Sequence, residues 1–166
     1  MNNPVYIEKS HNRDNFVCEE PELNDFIKLY ARQNHDNNIS KTYVVLHNND
    51  VVAYYTLVYE NIELKNIKNE IPSDLRPNRK DKIPCVLLGM IARDKSLKGQ
   101  DYGFYLLYEA IKKTYKASLI AGIKGLFLTP INNKVAAKFY DKIDFLQKID
   151  DKLYYVPIAT IKALVE

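Results

Sequence analysis

Apolar side chains recur at helical spacing in four segments of the chain, and each segment should bury one face in a core. The longest segment has its basic residues, Lys112, Lys113 and Lys116, close to its C-terminal end, where cations stabilise a helix through its dipole. The pattern therefore predicts a helix that begins at Pro21 and three more over Tyr102–Ser118, Asn133–Lys142 and Ile158–Val165.

Runs of β-branched and aromatic residues predict the strands. Thr42–Leu46 and Val51–Val58 are joined by turn residues that tolerate a left-handed backbone, which indicates a hairpin. Val86–Ile91 and Gly125–Thr129 are continuous apolar runs, as expected of strands covered on both faces. The order of these elements predicts an α/β fold in one domain, residues 1–166, whose mixed sheet is covered by helices on both faces. Shorter strands are predicted at Tyr6–Lys9, Phe145–Ile149 and Leu153–Val156.

The composition narrows the classes of function. The chain has 166 residues, of which 46% are hydrophobic, enough for one core without a disulfide or a metal. Its apolar runs are shorter than the roughly 20 residues that cross a bilayer, and its start lacks the layout of a secretory signal. We therefore expect a cytoplasmic protein without a membrane partner. Cys18 and Cys85 should be buried thiols rather than metal ligands, and a net charge of +3 permits an RNA substrate without requiring one.

A turn with two glycines joins the predicted central strand to the long helix. It reads Lys98-Gly99-Gln100-Asp101-Tyr102-Gly103. A loop that enters a helix N-terminus presents several backbone N–H groups, to which the helix dipole adds partial positive charge. Such a turn suits a pyrophosphate, although a strand-turn-helix junction with glycine is more often only a turn. A second motif is needed to decide between the two interpretations.

The second motif is Asn133-Lys134-Val135-Ala136-Ala137-Lys138-Phe139-Tyr140. Its spacing places Asn133 at a helix N-terminus and Tyr140 two turns later on the same face. The phenol can then face the mouth between the two buried strands. The alternative is a structural tyrosine, one of 13 in the chain, but its spacing from Asn133 favours a functional role.

Together the two motifs resemble those of the GNAT acetyltransferases. The family's Q/R-x-x-G-x-G/A corresponds to Lys98–Gly103, with Lys98 in place of Gln or Arg and Asp101 in place of Gly. The family's N-x-x-A-x-x-F-Y-x-x-x-G-F corresponds to Asn133–Phe145, with Asp144 in place of Gly. A helix C-terminus accepts that last exchange at modest cost, because Asp adopts the left-handed region more readily than most residues.

A narrower resemblance, to the TacT-like GNAT toxins of type II toxin-antitoxin pairs, covers most of the chain. It rests on His11–Cys18, Leu23–Ile27, Ala31–Gln33 and Ala53–Leu57. The strand before the turn is similar to the toxin pattern L-G-R-L-A-V-D. In this chain it reads Leu88-Gly89-Met90-Ile91-Ala92-Arg93-Asp94.

The resemblance implies acetyl-CoA as the acetyl donor, no metal, and two central parallel strands splayed so that pantetheine adds to a sheet edge in a mostly antiparallel sheet. Tyr140 would be the general acid for the departing thiolate, since a phenol with a pKa of about 10 is protonated at pH 7. The acceptor would be the α-amino group of aminoacyl-tRNA, whose pKa of about 8 leaves it partly neutral without a base. The residues expected to hold the cofactor are Ile91, Ala92, Arg93, Lys98, Gly99, Gln100, Asp101, Tyr102, Gly103, Phe104 and Asn133.

The resemblance also implies partners. A toxin of this kind would block translation until a small DNA-binding antitoxin binds it, and homodimers are common in the family. Within the chain, Arg76–Lys82 carries four cations in seven residues and is a candidate contact for an RNA phosphate backbone. Short charged runs are, however, more often solvated loops.

Asp101 leaves two other functions open. A carboxylate at a pyrophosphate-binding turn repels the ligand, although Lys98 and Arg93 are near enough in sequence to offset one charge. We therefore expect weakened but surviving binding of acetyl-CoA. The alternatives are a GNAT enzyme that acts on a small amine or a protein N-terminus, and a GNAT-like binding module without catalysis. Asp101→Gly would raise cofactor affinity in such a module and change little in a working enzyme.

Overall fold

A computed structural model describes residues 1–67, 71–75 and 82–166 of the chain. Its strands are β1 (Val5–Tyr6), β2 (Lys41–His47), β3 (Asp50–Glu63), β4 (Lys82–Arg93), β5 (Gly125–Leu128), β6 (Gln147–Lys148) and β7 (Tyr154–Pro157). Its α-helices are α1 (Pro21–Asp25), α2 (Ala31–Asp36), α3 (Tyr102–Ser118), α4 (Asn133–Lys138) and α5 (Ile158–Val165).

The strands form one sheet in the order β1-β2-β3-β4-β5-β7-β6. The pair β4 and β5 is parallel, whereas β1–β2, β2–β3, β5–β7 and β6–β7 are antiparallel. The predicted α/β class, with a mixed and mostly antiparallel sheet, is confirmed. The bounds predicted for the long helix and for the last helix match α3 and α5 at both ends.

The β2–β3 hairpin turns through two asparagines. Asn48 and Asn49 have φ angles of 48° and 67°, in the left-handed region that a tight hairpin turn requires. Tyr43 pairs with Tyr55 across the two strands, and their rings stack with centroids 4.9 Å apart. The hairpin is therefore confirmed, with β3 running past the predicted end to Glu63.

The helix predicted from Pro21 is interrupted by a π-helical segment. This segment spans Phe26–Tyr30, between α1 and α2, and the N–H of Ala31 donates to the carbonyl of Phe26. Such segments hold one extra residue in a helical turn and are frequent at functional sites. The hydroxyl of Tyr54 on β3 donates to the carbonyl of Leu23 at 2.7 Å, which fixes the start of the helix on the sheet.

The chain divides into two compact units. The first comprises Met1–Val58 and Gly89–Ala110, and the second comprises Tyr59–Leu88 and Ile111–Glu166. Each has its own buried core. The core of the first unit includes Phe16, Ile27, Val44 and Tyr54, and that of the second includes Leu75, Cys85, Phe127 and Tyr155.

Both cysteines are buried and free, as the sequence predicts. Burial raises the pKa of the Cys85 thiol to about 12, so this thiol stays protonated at neutral pH. Within the described ranges, no helix is both long and apolar enough to cross a membrane.

Candidate active site

The C-terminal end of β4 carries the residues expected to bind the pantetheine arm. The parallel ladder with β5 ends at the pair Leu88 and Leu128, and β4 continues beyond it. Ile91, Ala92 and Arg93 therefore lie past the last residue of β4 that pairs with β5. Main-chain groups beyond a ladder can bond an added amide chain in the way that they would bond a strand.

A threonine side chain alters the main-chain bonding of β4 just before these residues. The N–H of Met90 donates to Oγ1 of Thr56 at 2.8 Å. A Cβ at position 89 would lie 3.0 Å from the same oxygen, so Gly89 leaves room for the hydroxyl. Sequence reasoning missed Thr56, because it is one β-branched residue among several in β3. The glycine in the Leu88–Asp94 pattern is the signal that could have found it.

Asp94 fixes the chain directly after β4. One carboxylate oxygen accepts the N–H of Ser96 at 2.9 Å, and the other accepts the N–H of Val17 at 2.8 Å. Burial raises the pKa of this carboxyl, but the two backbone hydrogen bonds and the charge of Arg93 outweigh it, so the pKa lies below its ordinary value. Asp94 closes the toxin-like pattern but has no assigned role in the sequence prediction. It links β4 to the segment before α1.

The predicted phosphate turn has two left-handed residues. Gly99 has φ 80° and Asp101 has φ 56°. At position 101, where the family has glycine, the backbone of this chain is left-handed. Asp adopts that conformation at a cost in free energy, whereas Gly adopts it freely. The carbonyl of Asp101 accepts the N–H of Tyr105 at 3.0 Å, which starts α3.

The turn is open to solvent. Lys98, Gly99, Gln100 and Asp101 are exposed, and Phe104 is 46% exposed. In the first turn of α3, the initial N–H groups have no acceptor within the helix and point along its axis. Such unpaired N–H groups can bind an anion, and the carboxylate of Asp101 lies beside them.

Arg93 is engaged with an acidic residue. Its guanidinium lies 3.4 Å from the carboxylate of Glu19. Burial alone would raise the pKa of Glu19. The hydrogen bond to its own backbone N–H and the charges of Arg93 and Lys98 outweigh burial, so the pKa lies below its ordinary value. The positive charge of Arg93 is therefore paired with the carboxylate of Glu19. It offsets the charge of Asp101 less than the sequence prediction assumed.

The helix predicted over Asn133–Lys142 is wrong in its second half. α4 ends at Lys138, Phe139 leaves the helical region with φ −120° and ψ −64°, and a 3₁₀ turn follows over Tyr140–Lys142. Phe139 is half-buried and Tyr140 is buried, and their rings contact each other at 4.9 Å. The same-face relation predicted between Asn133 and Tyr140 therefore does not hold.

The predicted start of α4 at Asn133 is confirmed. The residue that caps the helix is Asn132, whose side chain accepts the N–H of Val135 at 2.9 Å. Asn133 is the first helical residue and is exposed.

Tyr140 is only 3% exposed. Its ring lies edge to face with Phe139 at 4.9 Å and tilted against Tyr154 at 5.7 Å. Burial, with a smaller contribution from Tyr154, raises the pKa of the Tyr140 phenol well above its ordinary value. At neutral pH the phenol is therefore protonated.

A polar network supports the turn that carries Tyr140. The hydroxyl of Tyr154 donates to the carboxylate of Asp141, and Nζ of Lys148 lies 3.5 Å from the same carboxylate. This hydrogen bond, with the charge of Lys148, holds the pKa of Asp141 below its ordinary value. The residue after Tyr140 is thus fixed to β7 and to β6.

Two further sequence predictions concern RNA and metal. Residues 76–81 of the cationic run lie outside the described residues, and Nζ of Lys82 is 3.9 Å from the carboxylate of Glu63. Among the described residues, no cluster of three or more histidine, cysteine or acidic side chains is arranged to hold a metal ion.

Known proteins resemble this chain over nearly its whole length. A tRNA-acetylating toxin of Mycobacterium tuberculosis is 26% identical over 151 residues, which cover 91% of this chain and 88% of the toxin. AtaTR bound with acetyl-CoA is 29% identical, with a TM-score of 0.82 and coverage of 99% of this chain and 98% of the other. AtaT complexed with acetyl-methionyl-tRNAfMet is 28% identical, with the same TM-score and 99% coverage of both chains.

The match to a third toxin is similar. The KacTA–DNA complex contains a chain that is 30% identical, with a TM-score of 0.79 and coverage of 98% of this chain and 96% of the other. AtaT has also been solved bound to the C-terminus of the antitoxin AtaR. No family model matches the chain. Fold, sequence identity and coverage agree, and the chain belongs to the GNAT-fold acetyltransferase toxins of type II toxin-antitoxin systems, the TacT-like group.

Proposed function

We propose that this chain transfers the acetyl group of acetyl-CoA to the α-amino group of aminoacyl-tRNA in the cytoplasm. The observation that carries the proposal is the match over 99% of the chain to AtaT, solved with acetyl-CoA and with acetyl-methionyl-tRNAfMet. An acetylated α-amino group is no longer a nucleophile, so the aminoacyl-tRNA cannot accept a growing peptide. Translation is blocked as a consequence.

The acetyl donor is held by main-chain groups on two segments. Ile91, Ala92 and Arg93 bond the pantetheine amides along the end of β4, where the ladder with β5 has ended. The turn from Lys98 to Phe104, with its two left-handed residues, presents backbone N–H groups to the pyrophosphate. Asn133, exposed at the start of α4, contacts the cofactor arm.

Tyr140 is the general acid of the transfer. The neutral α-amine attacks the thioester carbonyl, a C–N bond forms, and the C–S bond breaks. Tyr140 gives its phenolic proton to the departing sulfur, and the proton lost by the amine restores the phenol through solvent. Burial supports this role because it raises the pKa of the phenol and so keeps it protonated at neutral pH.

A side-chain base is not required for this reaction. The α-amino group of an aminoacyl ester has a pKa of about 8 or lower, so a useful fraction is neutral at physiological pH. The proposal extends to a partner: a small DNA-binding antitoxin that silences the enzyme, as AtaR pairs with AtaT.

The test uses labelled acetyl-CoA with charged total tRNA, and deacylated tRNA as the control. Label should enter the charged tRNA alone and should be released by mild base as an N-acetylated amino acid. Label on free amines or on protein N-termini, with none on charged tRNA, would instead favour a different GNAT acceptor. Failure to bind acetyl-CoA would contradict the enzyme altogether.

A further inference from the structure

Tyr154 contacts two consecutive residues of the turn that carries the proposed acid. Its ring packs against the ring of Tyr140, with centroids 5.7 Å apart and planes inclined by 40°. Its hydroxyl donates to the carboxylate of Asp141. Tyr154 is itself buried on β7. One buried side chain therefore touches both the ring of Tyr140 and the side chain of the next residue.

The main chain around Tyr140 provides few constraints of its own. Phe139 has left the helical region, and the 3₁₀ turn Tyr140–Lys142 is only three residues long. The N–H of Lys142 donates to the carbonyl of Phe139 at 3.4 Å, and the N–H of Ile143 donates to the carbonyl of Tyr140 at 3.1 Å. Hydrogen bonds of a 3₁₀ turn have poorer geometry than those of an α-helix. The direction of the Tyr140 side chain therefore depends on contacts from outside the turn.

Tyr154 lies at the level of the sheet where the parallel ladder ends. Leu88 of β4 pairs with Leu128 of β5 as the last pair of that ladder, and Leu128 pairs with Tyr154 on β7. Tyr154 in turn pairs with Lys148 on β6. These four residues form one row across four strands. The contacts of Tyr154 therefore fix Tyr140 to the row at which β4 and β5 stop pairing.

The hydroxyl of Tyr154 donates to a charged acceptor. This hydrogen bond holds the pKa of Asp141 below its ordinary value, so the carboxylate is ionised at neutral pH. Hydrogen bonds to an ionised acceptor are roughly twice as strong as those between neutral groups. Nζ of Lys148 lies 3.5 Å from the same carboxylate, but the side chains of Lys148 and Asp141 are 46% and 39% exposed, and solvent weakens such ion pairs. The hydrogen bond from Tyr154 is therefore the stronger constraint on the turn.

We propose that Asp141 and Tyr154 are positioning residues, and that their hydrogen bond sets the direction in which the Tyr140 phenol points. The inference rests on the proposed function, in which Tyr140 gives its proton to the departing thiolate. A displacement of about 1 Å in a reacting group can slow a reaction about a hundredfold. Asp141 stands at a position that the family motif leaves variable, and Tyr154 lies beyond the motif. The motif alone therefore does not supply this support.

The test uses two variants that break the hydrogen bond and two matched controls. Asp141→Ala removes the acceptor, and Tyr154→Phe removes the donor while its ring is kept. The controls are Asp151→Ala, in the exposed segment between β6 and β7, and Tyr115→Phe. Tyr115 is a matched case because its hydroxyl also donates to a carboxylate, that of Glu166, at 2.7 Å.

Single-turnover acetyl transfer is measured at saturating acetyl-CoA and charged tRNA. Asp141→Ala and Tyr154→Phe should each slow the transfer by about tenfold to a hundredfold, and the controls should leave it unchanged. Asp141→Asn keeps an oxygen acceptor and should recover most of the rate. Lys148→Gln removes only the exposed ion pair and should slow the transfer by less than about threefold. The affinities for acetyl-CoA and tRNA should be the same in all of these variants.

A double-variant cycle measures whether the hydrogen bond acts through Tyr140. The phenol is absent in Tyr140→Phe, so adding Asp141→Ala to it should cause no further slowing. A second readout needs no acetyl transfer: the NMR signal of the ¹³C-labelled Tyr140 ring, assigned by its absence in Tyr140→Phe. This signal should shift in Asp141→Ala and stay in place in Asp151→Ala.

Two kinetic results would overturn the inference and leave the proposed function intact. One is a wild-type rate of transfer to charged tRNA in both Asp141→Ala and Tyr154→Phe. The other is equal slowing by Asp141→Ala with and without the Tyr140 phenol, which would reduce the hydrogen bond to a structural role. A wild-type protein that labels no charged tRNA would contradict the proposed function. The ring signal then decides the inference separately, because an unchanged Tyr140 signal in Asp141→Ala would overturn it and a shifted one would support it.

Discussion

Oγ1 of Thr56 on β3 accepts the N–H of Met90 on β4 at 2.8 Å. The same oxygen lies 3.0 Å from the position of a Cβ at residue 89. Two residues distant in sequence therefore depend on each other: the hydroxyl requires a glycine opposite it. Met90 lies one residue before the proposed pantetheine segment, which begins at Ile91.

Gly89→Ala should destabilise the protein by about 1–3 kcal/mol, because the new methyl group presses on the Thr56 hydroxyl. Thr56→Ala should also destabilise it by about 1–3 kcal/mol, because the Met90 N–H loses its acceptor. The double variant should cost less than the sum, since Ala at position 56 leaves room for the methyl group. Urea unfolding of the four proteins measures the coupling energy, and simple additivity would contradict the contact.

Asp101→Gly should stabilise the protein by about 0.5–1 kcal/mol, because glycine adopts the left-handed conformation at position 101 without strain. The affinity for acetyl-CoA should change by less than about tenfold, since the turn already has the conformation that a glycine would take. Calorimetric titration of acetyl-CoA measures the effect.

Asp101→Asn separates charge from conformation, because Asn is neutral and tolerates the left-handed region. It should reproduce the affinity change of Asp101→Gly but little of the stability gain. A gain in affinity of a hundredfold or more in either variant would show that the native turn is too poor a binder for an enzyme.

Asp94→Asn should lower stability at neutral pH, and the loss should shrink as the solution becomes acidic. The folded pKa of Asp94 lies below its ordinary value, so its contribution is present above about pH 4 and is lost as the pH falls through the folded value. Urea midpoints at pH 7 and near pH 3 give the comparison. Asp151→Asn, in an exposed turn, is the control. If the difference in stability between the wild type and Asp94→Asn were the same at both pH values, the charge of the Asp94 carboxylate would play no part in stability.

The pH profile of acetyl transfer should have a rising limb and no falling limb below about pH 10. The rise reports deprotonation of the acceptor α-amine near pH 8. A fall would report loss of the phenolic proton, but burial places the pKa of Tyr140 above its ordinary value. An amide-linked aminoacyl-tRNA analogue that resists alkaline hydrolysis allows the measurement. A falling limb with a midpoint well below 10 would identify a different acid.

Hydrophobic periodicity predicted the elements that are long or strongly patterned. The helix Tyr102–Ser118 and the hairpin at Asn48 and Asn49 follow from local sequence alone, because their signals lie within one turn or one face. The end of α4 at Lys138 could not be predicted in this way, because Tyr140 packs against Tyr154, which lies on a strand later in the chain. The π-helical turn at Phe26–Tyr30 has no pattern that differs from an ordinary amphipathic helix.

The roles of Gly99 and Tyr140 in the candidate site stay predictions from sequence motifs. The structure adds contacts that those motifs did not indicate, because Thr56 and Glu19 contact Met90 and Arg93 from other parts of the chain. Such supporting contacts depend on which strands and loops become neighbours. The sequence does not state that, so a structure is needed to find them.

The central claim is that Tyr140 protonates the thiolate that leaves during acetylation of aminoacyl-tRNA. The most direct measurement is single-turnover transfer of labelled acetyl from acetyl-CoA to charged tRNA by the wild type, by Tyr140→Phe and by the control Tyr115→Phe. The account predicts that Tyr140→Phe binds acetyl-CoA and tRNA as the wild type does but transfers about 10²- to 10⁴-fold more slowly, while Tyr115→Phe is unaffected. Equal rates for Tyr140→Phe and the wild type would contradict the account.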